Sequence, residues 1–331
     1  MDSITLWLVV LLALGFDFIN GFHDTANAIA TSVSTRALKP RVAILLAATM
    51  NFVGAITFTG VAKTIGSGIA DPAKLEHGVQ VVIAALISAI VWNLATWWFG
   101  IPSSSSHALI GSLTGAVIAS AGFSSVNAGG FVDIVKALIF SPLIAFTIGF
   151  IVMWLLKMIF ARRSPHQINK GFRFGQIITA AFQSFSHGTN DAQKAMGIIT
   201  FALVTAGIQD HFEVPLWVKL AAAASMALGT SIGGWKIIKT MGTKIFKIEP
   251  INGFAADVSS AAIILTATMI QLPVSTTHVI TSSILGVGSA KRFSSVRWTL
   301  AGRIVISWVI TIPITILFAA VVYWIIEALF L

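Results

Sequence analysis

Two short motifs recur in the chain, in the same order and at nearly the same spacing, and this recurrence limits the fold more than any other feature. The first motif reads Gly21-Phe22-His23-Asp24-Thr25-Ala26-Asn27-Ala28 and returns 167 residues later as Gly188-Thr189-Asn190-Asp191-Ala192-Gln193-Lys194-Ala195. The second reads Pro102-Ser103-Ser104-Ser105-Ser106-His107 and returns 171 residues later as Pro273-Val274-Ser275-Thr276-Thr277-His278. Two motifs repeating in register mark a tandem duplication. Both aspartate motifs lie in apolar sequence, where a carboxylate costs roughly 2.5–3.5 kcal/mol to insert. Tolerating that cost twice, in the same local sequence, points to a site.

The surrounding chain is a membrane sequence. Hydrophobic residues make up 56% of the 331 and charged residues 10%, against about 25% charged in a soluble domain. Mean hydropathy is +0.90. The formal charge of +9 could suggest nucleic acid, but the basic residues sit in short loops between apolar runs, as cytoplasmic flanks do. The chain has no cysteine, which excludes disulfides, thiolate metal sites and cysteine nucleophiles. Before the apolar run that begins at Ile4 stands an acidic residue and no basic one, so that run reads as a first span and not as a cleavable signal.

In chain order, a span over 4–20 is expected to break at Gly21 and resume over 26–35, leaving Asp24 and Asn27 beside free backbone groups. A basic loop with Arg36, Lys39 and Arg41 precedes a span over 42–62, and a loop with Lys63, Asp71, Pro72, Lys74 and Glu76 carries no net charge. After a span over 79–99 comes the serine motif, then 108–122, too short to cross a bilayer and expected as half of a re-entrant hairpin. The run 131–160 should break at Ser141-Pro142. The polar stretch 162–173 separates the halves, and the second half replays the first with spans over 217–238 and 254–270. The expectation is an all-α polytopic protein of about twelve membrane segments, divided as 1–160, 161–173 and 174–331. The loop charges exchange sign between halves, which predicts inverted-topology repeats, a cytoplasmic linker and both termini outside. Inverted repeats with broken helices are a signature of secondary transporters, whose sites lie near the midplane.

The aspartate motifs supply carboxylates beside amide or imidazole groups. Hard monovalent cations take oxygen ligands, so Asp24 with Asn27, and Asp191 with Asn190, read as sodium or proton sites. The hydroxyls Ser104, Ser105 and Ser106, matched by Ser275, Thr276 and Thr277, follow a proline at what should be helix N-termini. Helix N-termini bind anions, so two such tips facing each other would hold a tetrahedral oxyanion. Gln183, two turns before Asp191, is a further anion ligand by position. His23, Thr25, Lys194, His107 and His278 are secondary candidates: Lys194 stands where the first copy has Asn27 and is expected to pair with Asp191, while the two tip histidines assist an anion or brace the hairpins. Asp17 and Asp257 are weaker candidates. No nucleophile–base pair or metal cluster suggests an enzyme.

The paired aspartate motifs, the two Pro-to-His tips, Gly233-Gly234-Trp235-Lys236 and Pro250-Ile251-Asn252-Gly253-Phe254 resemble the PiT family of inorganic phosphate transporters over almost the whole chain. The resemblance implies phosphate uptake coupled to sodium or protons, with no cofactor beyond the coupling ion, through two inverted repeats with re-entrant hairpins in a homodimer of the cell membrane. Sodium is the expected ion, because coordination explains a carboxylate–amide pair better than a proton relay does. Two positions depart from the family pattern: His23 precedes Asp24 where Asn is usual, and Lys194 stands where Asn is common. A sulfate carrier of the same architecture and an anion channel are the competing readings.

Overall fold

The computed structural model describes residues 3–71 and 75–330. Pro72 and Lys74 of the neutral loop, and Asp2 ahead of the first span, lie outside the described residues. Among those residues there is no β-strand, only one isolated bridge between Ala70 and Val126. The helices in order are α1 (Ser3–His23), α2 (Thr25–Ser34), α3 (Pro40–Ala55), α4 (Gly60–Ile69), α5 (Gly78–Phe99), α6 (Ser105–Ala121), α7 (Ala128–Ile159), α8 (Pro165–Thr205), α9 (Leu216–Ile232), α10 (Trp235–Lys239), α11 (Pro250–Met269), α12 (Thr276–Arg292) and α13 (Trp298–Phe330). Among the described residues, five helical segments are long and apolar enough to cross a bilayer, or up to seven if each of two bent helix pairs counts as one span.

The breaks fall in other places than the sequence suggested. The first interruption is at Asp24, not Gly21, and is a single residue between α1 and α2. The second aspartate motif is not broken at all, because α8 runs unbroken for 41 residues through Gly188 and Asp191. In both motifs the glycine serves close packing: a Cβ on Gly21 would collide with the backbone at Met226, and one on Gly188 with the backbone at Asn51. The larger bends lie elsewhere. The expected span over 42–62 ends at Ala55 and turns by 76° into α4, and the span over 217–238 turns by 63° at Gly233 and Gly234 into α10. Helix α7 continues through Pro142; Pro inside a membrane helix is tolerated where neighbours satisfy the freed carbonyl. Residues 165–173 of the polar stretch form the first turns of α8.

Helix α8 would be about 60 Å long at 1.5 Å per residue, yet its sequence is not apolar enough to count among the five spans. Burial explains this. From Gly188 to Leu203 every residue is buried, so its polar side chains face protein and not lipid. Around it, α3, α11, α4 and α1 pack closely.

Helices α5 and α6 form a packed hairpin joined by 100–104, and α11 and α12 form another joined by 270–275. Each second arm has 17 residues, about 25 Å, less than the hydrocarbon thickness of about 30 Å. The arms are exchanged between halves: α6 packs against α13, and α12 against α7. After each short arm comes the same 3₁₀ turn, Phe123–Ser125 or Phe293–Ser295, and then a long helix with an internal proline, Pro142 or Pro313.

Two apolar clusters fill the interior. One gathers Leu38, Ile245, Phe246 and Val296, with Ile168 and Phe172 packed on it; the other gathers Val9, Ile69, Leu75, Val117 and Tyr323, with Val126 and Phe212 packed on it. The loops rich in Lys and Arg therefore meet at the first cluster, where Arg297 donates its N–H to Ile245 at 2.9 Å and Lys291 pairs with Glu249 at 3.0 Å.

Candidate functional site

The two hairpin tips meet in the interior. The rings of His107 and His278 lie 4.3 Å apart between centroids, and His278 stacks on Trp308 of α13 at 3.8 Å. Trp308 Nε1 donates to the Pro102 carbonyl at 3.1 Å, and Trp92 Nε1 to Ser103 Oγ at 3.2 Å. Ser106 Oγ donates to the Val274 carbonyl of the opposite tip at 3.0 Å. Ser104 and Ser275 are the N-caps of α6 and α12, accepting from the N–H of His107 at 3.1 Å and of His278 at 3.2 Å. Their hydroxyls satisfy two of the donors a helix N-terminus leaves open.

The remaining tip hydroxyls face the aspartates. Asp24 Oδ1 accepts from His23 Nδ1 at 2.6 Å and from Thr277 Oγ1 at 3.0 Å; Oδ2 accepts from Ser105 Oγ. The Asn20 side-chain amide lies between the two carboxylates, and with its nitrogen on the side that faces them it would donate to Asp24 Oδ2 at 2.9 Å and to Asp191 Oδ2 at 3.3 Å, bridging the halves. In the second half, Lys194 Nζ is 2.8 Å from Asp191 Oδ1, while Thr276 Oγ1 donates to Oδ2 at 3.1 Å and His187 Nε2 lies 3.3 Å from it. Lys194 also donates to Ser105 Oγ at 3.1 Å. Asn20, His23, Asp24, Asn27, Ser105, His187, Asp191, Lys194, Thr276 and Thr277 are each at most 1% exposed, so the cluster is sealed from both sides.

The carboxylates thus stand at the N-termini of α6 and α12, where an anion is stabilised by free N–H groups and the helix dipole. Of the cation and anion candidates, Asp24, Asn27, Asp191, Ser105, Thr276 and Thr277 form one cluster, not the two separate ones their chemistry suggested. Asn27 sits within it: its Nδ2 donates to Thr277 Oγ1 at 2.9 Å, and its Oδ1 is buried without a hydrogen-bond partner. That orphan oxygen beside a carboxylate is the kind of ligand a hard cation takes. Asn190 turns away from Asp191, donating to Thr268 Oγ1 at 3.0 Å and accepting from Val274 N–H at 3.4 Å. Thr25 bonds Thr230 at 3.2 Å and Asn51 at 2.9 Å, behind the carboxylate. Gln183 accepts from Ser260 at 2.7 Å in another network, beside Asp257, which Thr31 and Thr179 hydrogen-bond at 2.7 and 3.4 Å. Asp17 is buried on the face of α1 that carries Asn20.

Three participants escaped the reading of the sequence. Asn20 and His187 both lie four residues before the motif aspartate, and are themselves 167 residues apart; helical spacing applied to the repeat would have found them. Thr96, whose hydroxyl is 3.1 Å from His23 Nε2, carries no such signal. Outside the cluster, Lys236 of the Gly-Gly-Trp-Lys stretch donates to the Trp98 carbonyl at 2.9 Å and lies 4.9 Å over the Trp98 ring, which fastens the bent α9–α10 pair to the end of α5.

A family model described as "Phosphate transporter family" matches residues 20–319. The chain belongs to this family. Members are transporters, not enzymes, and with its apolar helices the chain is a multi-pass membrane protein. It is 61% identical over 324 residues, 98% of this chain and 97% of the relative, to a Bacillus subtilis protein named "Probable low-affinity inorganic phosphate transporter". A Rhizobium meliloti protein of the same name is 48% identical, with 96% of this chain and 95% of the relative aligned. A solved structure described as "The sodium-dependent phosphate transporter" superposes with a TM-score of 0.85 at 26% identity, covering 99% of this chain and all of that one.

Proposed function

We propose that this chain imports inorganic phosphate across the cell membrane by symport with a cation carried at the aspartate cluster. One observation carries the reading: two helix N-termini, their tip hydroxyls and two carboxylates converge in a single sealed site. Phosphate would take the place of the carboxylates as acceptor for Ser105, Thr276 and Thr277, with the backbone N–H groups of α6 and α12 behind them. That exchange needs a cation on the carboxylates, since like charges in a low-dielectric site repel strongly. Binding of the two is therefore coupled. Sodium is the first reading of the ion, supported by the likeness to a solved transporter described as sodium-dependent and by the orphan oxygen of Asn27 beside Asp24.

Around this site we propose two inverted-topology repeats, 1–160 and 174–331, joined by a cytoplasmic linker over 161–173, with re-entrant hairpins and about twelve membrane segments. Supporting this are the exchanged packing of α6 on α13 and α12 on α7, and the gathering of basic loops at one apolar cluster. Both termini would lie outside. The proposed assembly is a homodimer, on the family resemblance.

A proton is the second reading of the ion, and one feature favours it. His23 joins Asp24 at 2.6 Å to Thr96 at 3.1 Å, a carboxylate–imidazole pair of the type that relays protons. Radiolabelled phosphate uptake into proteoliposomes tests both. Concentrative uptake driven by an inward sodium gradient, and not by an equal potassium one, supports sodium symport. Uptake that follows a proton gradient and ignores sodium transfers the coupling role to the His23–Asp24 pair. Equilibration without accumulation under either gradient would leave a channel and sink the symport reading.

A further inference from the structure

The two halves of the site are not chemically equivalent, and the difference lies at one position of the repeat. In the first half that position is Asn27, whose side-chain oxygen is buried and unpartnered beside Asp24. In the second it is Lys194, whose ammonium lies 2.8 Å from Asp191. The lysine is fully buried, among the largest such side chains in the protein, and its other contact is Ser105 of the first tip at 3.1 Å. Asn190, the remaining amide of the second motif, points to Thr268 and the backbone at 272–274. Around Asp191 there is thus an ammonium in direct contact and no spare amide oxygen; around Asp24 there is a spare amide oxygen and an imidazole at 2.6 Å, and the ammonium reaches it only through Ser105.

We propose that Lys194 is a tethered counter-ion that permanently fills the cation place at Asp191, so that only the Asp24 half carries an exchangeable coupling ion. The inference rests on the symport reading above and specifies its stoichiometry. An ammonium on a four-carbon stem supplies the charge an ion would supply, but it stays with the protein through the cycle and moves no net charge. Of the two motif carboxylates only Asp191 is in direct contact with the ammonium, which leaves Asp24 for a mobile cation to neutralise; Asp17, buried one turn before Asn20, is a third carboxyl within the field of the same ammonium. Contact with Ser105 also lets the same ammonium face a phosphate bound at the first tip. Lys194 is in this sense a specificity-determining residue for coupling: it sets how many ions accompany each phosphate.

The test is the ratio of net charge to phosphate moved, from transport current and tracer uptake on the same proteoliposomes. This ratio registers sodium and protons alike. Lys194→Asn, which gives the second copy the residue of the first, should raise the ratio by one elementary charge and steepen the dependence of uptake on the coupling ion. Lys194→Arg keeps a fixed charge and should keep the wild-type ratio at a reduced rate. Should Lys194→Asn fail to fold, the charge-neutral pair change Asp191→Asn with Lys194→Asn answers the same question, since removing both charges should leave the ratio of whatever uptake remains where it was. An unaltered ratio in Lys194→Asn, or a ratio lower by one charge in the double variant, overturns the assignment of Lys194. A wild-type protein that accumulates no phosphate under any cation gradient overturns the symport reading itself, and this inference falls with it.

Discussion

Thr277, on the tip of the second hairpin, donates its hydroxyl to Asp24 of the first half at 3.0 Å and accepts from Asn27 at 2.9 Å. One side chain therefore joins an anion-type helix terminus in one half to the carboxylate of the other. If Thr277 exchanges Asp24 for phosphate during the cycle, Thr277→Val keeps the shape and removes the exchange. A hydrogen bond to a charged group is worth about 1.5–3 kcal/mol, so the KM for phosphate uptake should rise roughly tenfold or more. Ser105→Ala should do the same from the other tip. A KM for phosphate that stays at the wild-type value in both variants would remove these hydroxyls from the binding site.

The neighbouring hydroxyls answer to a different test. Ser104 and Ser275 cap α6 and α12, and loss of an N-cap costs about 1 kcal/mol. Ser104→Ala and Ser275→Ala should each lower the thermal unfolding temperature in detergent while shifting the phosphate KM far less than Ser105→Ala does. Equal effects of all three on KM would mean that capping and binding cannot be separated at these tips.

Why the serine run could be read as a site but not divided into caps and ligands follows from its geometry. A proline followed by hydroxyl residues marks a helix start, but which hydroxyl caps depends on where the first helical residue falls, and that is set by tertiary contacts such as those between the two tips. The duplication was legible because it is written in residue identity. The bends were not. Gly21 and Gly188 look like chain breaks in sequence, yet both serve close helix contacts, whereas the 76° turn between α3 and α4 occurs at Ile56-Thr57-Phe58-Thr59, which carries neither glycine nor proline. Helical spacing alone puts Gln183 with the anion ligands; its partner Ser260 comes from α11, a contact no local pattern encodes.

Asn27 offers a test of the first half that leaves the N-caps of the hairpin helices in place. Its Oδ1 is buried and unpartnered, and such an acceptor carries a desolvation penalty of about 1–3 kcal/mol unless something fills it. A bound cation would. Asn27→Ala removes the oxygen and the donor to Thr277 together, and should raise the half-saturating concentration of the coupling ion about tenfold or more, with a smaller change in phosphate KM at saturating ion. Ion dependence identical to wild type would show that the Asp24 half does not carry the ion.

The pairing of Asp191 with Lys194 predicts stability as well as coupling. Both groups are fully buried and 2.8 Å apart. Removing one partner of a buried pair strands the other charge in a low-dielectric interior and typically costs about 3–5 kcal/mol. Asp191→Asn and Lys194→Met should each lower the unfolding temperature sharply in detergent. Combining them removes both charges, so the double variant should recover most of the loss and be more stable than either single one. That non-additivity is the signature of direct coupling between neighbours. Losses that simply add would mean the two charges are satisfied separately, Asp191 by His187, Thr276 and Asn20, and Lys194 by Ser105 alone. The ammonium would then not be the counter-ion of the carboxylate, whatever the distance between them.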